Sequence, residues 1–258
     1  MSEEIFFLHY GKDGCNRHVL IDECRELFGE IYEQIPELPF CNIWTAMQLS
    51  SRLPKGALFH MGVSNTRRCW NMFQLPESVE SACNVGCCGI DGCVSTLVGA
   101  SLVNPDRLCY VVVGDLTFFY DLNSLGNHHI GTNLRVMLVN NGRGTEFRLG
   151  IHHCNVFGDD ADKYMAAAGH FGNKSPLLVK HYAEDLGFHY LSATTKEEFM
   201  TALSNFTNPQ LSDHSMILEV FTDSKDESEA LYLMSHIQSD AKGMVRSKLK
   251  LSLIHISE

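Results

Sequence analysis

The sequence lacks any apolar run approaching the roughly 18 residues that a membrane-spanning helix needs. Its first residues also lack a basic region followed by an apolar stretch, so we expect a cytoplasmic protein without a secretory leader. Positive charge is scarce as well, because 20 basic residues stand against 31 acidic ones, a formal net charge of −11. This balance argues against a nucleic acid or an anionic membrane as the main partner.

The Cys-x-x-Cys motif is also absent. The 258 residues include ten cysteines, but no two of them have that spacing. Cys83, Cys87, Cys88 and Cys93 surround a glycine-rich turn without the paired spacing of zinc ribbons or ferredoxin-like clusters. We therefore predict reduced thiols, with a cluster-ligand role for these four as the alternative.

A dinucleotide-binding fingerprint is missing from the same region. Gly86, Gly89 and Gly92 do not follow the Gly-x-Gly-x-x-Gly spacing, and the strand expected before them is weak. The loop instead opens a predicted helix that runs to about Leu102.

Apolar segments of two kinds alternate along the chain, and 45% of its residues are hydrophobic, enough for a substantial core. Strands are predicted at 57–61, 108–113, 134–139, 189–193 and 215–221, and helices at 19–35, 42–52, 159–171, 177–186, 196–206 and 224–236. The alternation predicts an α/β fold, a doubly wound parallel sheet with helices on both faces. We expect 1–41 to be an N-terminal remnant or linker with one amphipathic helix, 42–237 the sheet domain, and 238–258 a tail. Residues 249–258 look non-native, since 251–258 resemble translated sequencing-adaptor read-through.

Two buried-type strands end in oxygen-bearing side chains. Leu108–Val113 leads into Gly114-Asp115-Leu116, and Leu134–Val139 leads into Asn140-Asn141-Gly142-Arg143-Gly144. Since open α/β sheets bind ligands at the carboxyl ends of their strands, we expect Asp115 and Asn141 to lie near each other. Carboxylate and amide oxygens suit Mg²⁺, which phosphate oxygens commonly complete. The alternative is that both segments are ordinary strand-end turns with capping side chains.

A third segment, Gly62–Arg68, follows the first predicted strand with small and hydroxyl residues and two arginines. Arginine pairs bidentately with carboxylates and phosphates, so the segment is a candidate anion-binding loop, or else an ordinary surface.

The strand-end spacing resembles a known motif. Gly114-Asp115, followed 26 residues after the aspartate by Asn141, is similar to the Gly-Asp-Gly…Asn-Asn motif of thiamine diphosphate-dependent enzymes. Leu116 replaces the usual glycine, but Gly-Asp-Leu is usual in one branch of that family. The further signatures of that branch are Gly89-Ile90-Asp91-Gly92-x-x-Ser95-Thr96, Ser64 four residues before Arg68, and Tyr120-Asp121-Leu122-Asn123. Together they resemble the C-terminal, diphosphate-binding domain of 2-succinyl-5-enolpyruvyl-6-hydroxy-3-cyclohexene-1-carboxylate synthase of menaquinone biosynthesis.

The resemblance implies the thiamine diphosphate-binding fold, with thiamine diphosphate and Mg²⁺ as cofactors. It implies that Asp115, Asn141 and the backbone carbonyl of Arg143 hold the Mg²⁺, and that Ile90 lies beneath the cofactor. It also implies that Ser64 and Arg68 contact substrate carboxylates. The remaining cofactor-binding residues would be Gly89, Gly114, Leu116, Gly144 and Thr145.

The family pattern is incomplete in this sequence. In that family a glutamate on a separate pyrimidine-binding domain activates the cofactor, and the chain has no room for that domain. We therefore expect the diphosphate-binding half of a 2-oxo acid decarboxylase or carboligase, completed by a pyrimidine-binding domain or subunit in a homo- or hetero-oligomer. No residue of this chain is assigned as its catalytic acid or base.

Two departures leave the acceptor substrate open. Val63 and Val85 stand where the family usually has asparagine and an anion-binding arginine, and losing such an arginine is not conservative. An acetolactate-synthase-like carboligase with another acceptor, for example in polysaccharide biosynthesis, is the first alternative. A non-catalytic fragment with the same fold is the second.

Overall fold

The computed structural model describes residues 22, 26–86, 88–149, 152–164 and 175–237. The chain divides into two compact units, one comprising Leu38–Tyr232 and the other Met1–Glu37 with Leu233–Glu258. In the second unit residues 26–33 are helical, inside the helix predicted over 19–35. The tail 238–258 lies outside the described residues. No helix in the described ranges is both long and apolar enough to cross a membrane.

A six-stranded, entirely parallel sheet forms the centre of the larger unit. Its strands are β1 (Leu58–Met61), β2 (Glu80–Cys83), β3 (Cys109–Gly114), β4 (Leu134–Asn140), β5 (His189–Ala193) and β6 (Met216–Phe221). They are ordered β2-β1-β3-β4-β6-β5. The helices are α1 (Asn42–Leu49), α2 (Asn65–Trp70), α3 (Cys93–Val103), α4 (Asp115–Asp121), α5 (Ala161–Tyr164), α6 (Leu178–Asp185), α7 (Lys196–Phe206) and α8 (Ser224–Ser235). Short 3₁₀ helices cover Ser50–Arg52, Leu122–Gly126, Thr145–Arg148 and His153–Asp160.

Helices cover both faces of the sheet, as the alternation of elements predicts. Along β3, Val111 and Val113 face a core that contains Val94 of α3 and Val179 of α6. Tyr110 points to the opposite face, since successive strand side chains alternate, and its ring lies 5.5 Å from that of Phe206 in α7. These contacts confirm the predicted doubly wound α/β fold.

Most predicted elements match the observed ones within two residues. The predicted helix 42–52 forms α1 and then tightens into the 3₁₀ turn Ser50–Arg52. Helix α7 starts at Lys196, as predicted, and the Thr195 hydroxyl caps it by accepting a hydrogen bond from the Glu198 amide. Of the predicted helix 159–171, only α5 and the preceding 3₁₀ turn fall within the described residues.

Two α-helices and one strand were not predicted. Helix α2 begins inside the predicted anion-binding loop, and helix α4 begins directly at Asp115. Strand β2, at the edge of the sheet, has the sequence Glu-Ser-Ala-Cys and is mostly exposed. Short helices and exposed edge strands bury too few side chains to show a periodic apolar pattern, so pairing with neighbours decides their structure.

Candidate active site

The candidate site lies at the carboxyl edge of β1, β3 and β4, where the strand order reverses. From β1 the chain moves outward to β2 and then returns to the other side of β1 as β3. Such reversal points form the ligand crevices of open α/β sheets. Gly114 pairs with Val139 across β3 and β4, so Asp115 is level with Asn140, on strands about 4.8 Å apart. The topology thus brings the two predicted strand-end motifs together.

Asp115 is the first residue of α4, and its side chain is only 2% exposed. Its Oδ1 accepts a hydrogen bond from the Leu116 amide at 2.8 Å. Gly114 ends β3 with nothing within 4 Å of the position that a Cβ would occupy. A buried carboxylate at the mouth of the crevice is a suitable ligand for a hard cation.

The residues after β4 form a tight turn. The Asn140 Oδ1 accepts a hydrogen bond from the Gly142 amide at 3.2 Å, and the Asn141 Oδ1 accepts one from the Arg143 amide at 3.4 Å. Gly142 adopts φ +80°, a conformation that glycine reaches without strain. An amide oxygen has two lone pairs, so Asn141 retains one acceptor position for a cation.

Beyond this turn, Gly144 precedes the 3₁₀ helix Thr145–Arg148. Thr145 is buried, at 5% exposure, whereas Asn141 and Arg143 are half-buried.

The glycine-rich loop lies on the same edge because it leaves the carboxyl end of β2. Ile90 is half-buried, and Gly92 adopts φ +75° as α3 begins. A Cβ on Gly89 would lie 2.5 Å from the Asp91 Oδ1, the end of an exposed side chain that can rotate away. The Asn84 Nδ2 closes the loop by donating to the Gly92 carbonyl at 3.2 Å.

A second contact ties this loop to helix α4, which begins at Asp115. The Asp121 Oδ2, in the last turn of α4, accepts a hydrogen bond from the Ser95 amide at 2.7 Å. Ser95 lies in the first turn of α3, where amides have no partner within their own helix. The carboxylate therefore couples the start of α3 to the helix that begins at Asp115.

The two predicted substrate-binding residues lie around the start of α2. Ser64 is exposed and adopts φ +61° and ψ −126°, an uncommon conformation for any residue other than glycine. The Arg68 guanidinium donates to both carboxylate oxygens of Glu146 at 2.9 and 2.8 Å, and to the Asn65 Oδ1 at 3.4 Å. The Glu146 hydrogen bonds raise the pKa of Arg68. Arg68, predicted to contact a substrate carboxylate, is thus paired with a carboxylate of the same chain.

The oxygen ligands at this edge fit Mg²⁺ bound together with a diphosphate. Asp115 and Asn141 supply a carboxylate and an amide oxygen on neighbouring segments, and the Arg143 carbonyl belongs to the same turn. Among the described residues no three His, Cys, Asp or Glu side chains form a metal-binding group. Mg²⁺ usually takes one or two carboxylates and completes its octahedron with phosphate oxygens and water, so this set suits a cofactor-bridged ion.

The described cysteines, by contrast, carry free thiols. They include Cys83, Cys88 and Cys93 near the glycine-rich loop, whereas Cys87 lies outside the described residues. Burial raises the pKa of Cys83 and Cys93, which keeps both thiols protonated near neutral pH.

Sequence reasoning did not assign a role to three acidic residues at this edge. Glu146 pairs with Arg68, Asp121 joins α3 to α4, and Glu219 of β6 contacts Asn140. The sequence did mark Glu219 as unusual, because it is the sole charged residue in the apolar strand Met-Ile-Leu-Glu-Val-Phe. The partners of Glu146 and Asp121 are 78 and 26 residues away in sequence, so local pattern carries no sign of either contact.

Curated proteins of known name align with most of this sequence. No protein-family model matches it. The 2-succinyl-5-enolpyruvyl-6-hydroxy-3-cyclohexene-1-carboxylate synthases of Bacteroides fragilis and Phocaeicola vulgatus are each 34% identical to it, over 196 and 200 residues. Both alignments cover 76% of this chain and 34% of the relative. The synthase of Christiangramia forsetii is 33% identical over 199 residues, 77% of this chain and 33% of the relative.

The chain therefore spans about one third of the length of the curated relatives it matches. The parallel sheet and the strand-end motifs at its reversal point agree with that similarity. The chain belongs to the thiamine diphosphate-dependent enzyme family, and the part it shares resembles the 2-succinyl-5-enolpyruvyl-6-hydroxy-3-cyclohexene-1-carboxylate synthases.

Proposed function

We propose that this chain supplies the diphosphate- and Mg²⁺-binding half of a thiamine diphosphate-dependent 2-oxo acid decarboxylase or carboligase. The observation that carries the proposal is the juxtaposition of Asp115 with the Asn140–Arg143 turn on adjacent parallel strands. The glycine-rich loop on the same edge adds a second support, because the Asp121 contact ties it to α4. A cytoplasmic location remains a prediction from the sequence.

Each segment has a part in this proposal. Asp115, Asn141 and the Arg143 carbonyl hold Mg²⁺ against the diphosphate, and Thr145 and the glycines at 89, 114 and 144 line it. Ile90 would pack against the cofactor. When bound, thiamine diphosphate supplies the carbon nucleophile that adds to a 2-oxo acid. The chain's own contribution is to bind and orient, which lowers the entropic cost of bringing cofactor and substrate together.

A partner must complete the site. No residue assigned above activates the aminopyrimidine ring, so we propose that a pyrimidine-binding domain or subunit docks here in a homo- or hetero-oligomer. The substrates would be a 2-oxo acid and a small-molecule acceptor. The relatives' name suggests a step of menaquinone biosynthesis for the complete enzyme.

The Arg68–Glu146 pair favours a second candidate, a related carboligase with a different acceptor. The guanidinium already has a carboxylate partner at 2.8 Å, and the loop position Val85 carries an exposed apolar side chain. Fewer free cations at the substrate end favour an acceptor with fewer carboxylates.

Calorimetric titration of the chain with thiamine diphosphate and Mg²⁺, with a pyrimidine-domain partner present, tests the proposal. We expect saturable, Mg²⁺-dependent binding that Asp115→Ala and Asn141→Ala abolish. Asp106→Ala is the matched control, since it removes an exposed aspartate near the other end of β3. Absence of wild-type binding, together with no 2-oxo acid decarboxylation in the same mixture, would overturn the proposal. Assaying several 2-oxo acids and acceptors then separates the two candidates.

A further inference from the structure

A buried glutamate on β6 contacts the turn after β4, which supplies ligands to Mg²⁺ in the proposed function. Glu219 lies on β6 and is 1% exposed. Its Oε1 accepts a hydrogen bond from the Asn140 Nδ2 at 2.7 Å, and its Oε2 accepts one from the Tyr190 Oη at 2.7 Å. Burying a carboxylate is costly unless it is well hydrogen-bonded, so an apolar residue would serve the core at lower cost.

The glutamate determines which way the Asn140 amide faces. A carboxylate oxygen only accepts hydrogen bonds, so the Asn140 Nδ2 must point to Glu219 and the Oδ1 must point away from it. The Oδ1 then accepts from the Gly142 amide at 3.2 Å. That bond closes the turn whose members Asn141 and Arg143 carry the proposed metal ligands.

Tyr190 fixes the other side of the carboxylate. Its hydroxyl comes from β5, on the far side of β6 from β4, so the three side chains form a path across three neighbouring strands. Each side chain restricts the rotamers of the next. Tyr190 and the buried Glu219 therefore fix the Asn140 side chain that closes the turn.

We propose that Glu219, supported by Tyr190, is a positioning residue for the Mg²⁺ site and acts through Asn140 on the turn that presents Asn141 and Arg143. This inference rests on the proposed function. Partners of this kind, one contact removed from the metal, typically change metal affinity about 10- to 100-fold when they are removed.

The test measures metal affinity directly. Mn²⁺ is titrated into the full chain with thiamine diphosphate and the pyrimidine-domain partner present, and free Mn²⁺ is followed by electron paramagnetic resonance. We expect Glu219→Ala to raise the Kd for Mn²⁺ by about tenfold or more. Glu219→Gln should restore wild-type affinity, because its Oε1 still accepts from Asn140 and its amide donates to the Tyr190 oxygen.

Two further variants keep the test valid if Glu219→Ala fails to fold. Asn140→Ala removes the same link at the edge of the sheet and should weaken Mn²⁺ binding by a similar factor. Tyr190→Phe should weaken it less, since the Asn140 contact remains. The control is Tyr110→Phe, which removes another buried tyrosine hydroxyl, bonded to the Phe206 carbonyl at 3.1 Å. It should lower thermal stability and leave the Kd for Mn²⁺ unchanged.

The outcomes separate this inference from the proposed function. A wild-type chain that binds no Mn²⁺ with both thiamine diphosphate and the pyrimidine-domain partner present would overturn both. Wild-type binding with unchanged affinity in Asn140→Ala and Glu219→Ala would overturn only the positioning role. Equal weakening in Tyr110→Phe would also overturn it, because the effect would then follow general stability.

Discussion

Arg68 and Glu146 form a bidentate ion pair that joins the segment after β1 to the segment after β4. The two nitrogen–oxygen distances are 2.9 and 2.8 Å, and the side chains are 33% and 24% exposed. Partly exposed pairs contribute little to stability, since solvent screens them and both side chains lose rotamer freedom. The pair matters more for binding, because Glu146 occupies the guanidinium face that the family resemblance assigns to a substrate carboxylate.

Removing that carboxylate should free Arg68 for anions. We expect Glu146→Gln to bind a dicarboxylate probe such as succinate more tightly than the wild type, by a factor that shrinks at high salt. Calorimetric titration measures the affinity. Arg68→Ala should abolish the gain, whereas Arg67→Ala, which removes the exposed neighbouring arginine, should preserve it. Equal succinate affinity in wild type and Glu146→Gln would contradict this competition.

Replacing Ser64 with glycine should stabilise the protein more than replacing it with alanine. The Ser64 φ of +61° is strained for a residue with a Cβ, so Ser64→Gly should raise the free energy of unfolding by about 1 kcal/mol. Ser64→Ala keeps the strain and should leave stability unchanged. Chemical denaturation of the three proteins measures the difference. If Ser64→Gly is no more stable than Ser64→Ala, the strained conformation is not populated in solution.

Glu227 should make stability depend on pH. It is fully buried on α8, its Oε1 accepts from the Asn42 amide at 3.0 Å and the Thr222 hydroxyl at 2.8 Å, and its Oε2 has no partner among the described contacts. Burial raises its pKa from 4.5 to about 7. Between these values the folded state binds more protons than the unfolded state, so stability falls as pH rises. The full effect is on the order of 3 kcal/mol.

Urea unfolding at pH 5 and pH 8 measures this effect. Glu227→Gln cannot take up the proton, so its stability relative to wild type should rise between the two pH values. Glu229→Gln, on the exposed side of the same helix, should keep the wild-type pH dependence. Identical slopes for wild type and Glu227→Gln would show that another group titrates instead.

Asp121 should couple the glycine-rich loop to the metal site. Asp121→Ala removes the acceptor of the Ser95 amide and should cost about 1 kcal/mol of stability. It should also weaken thiamine diphosphate binding, because the start of α3 is no longer held against α4. Asp121→Asn retains an acceptor oxygen and should recover most of both losses. Unfolding and calorimetry on the same samples measure the two effects, and a loss of stability with intact binding would refute the coupling.

The buried elements could be predicted because their sequences repeat at the period of their structure. Helix α7 matches its predicted bounds, since apolar positions at helical spacing and a threonine cap are local signals. The positions of Asp115 and Asn141 at adjacent strand ends were also predictable, since parallel strands with helical connections point their carboxyl ends the same way. Helix α2 lacked such a signal because it is only six residues long, and edge strand β2 lacked one because none of its four residues is buried.

The sequence alone determined the fold class and the family, and it placed Asp115 and Asn141 at neighbouring strand ends, because these depend on periodicity and on residue types at fixed spacing. Only the tertiary structure decided the partners of the charged residues. Arg68 meets Glu146 across 78 residues, and Asn140 meets Glu219 across 79. Strand order sets both contacts, and strand order results from burying the whole sheet rather than from any local segment.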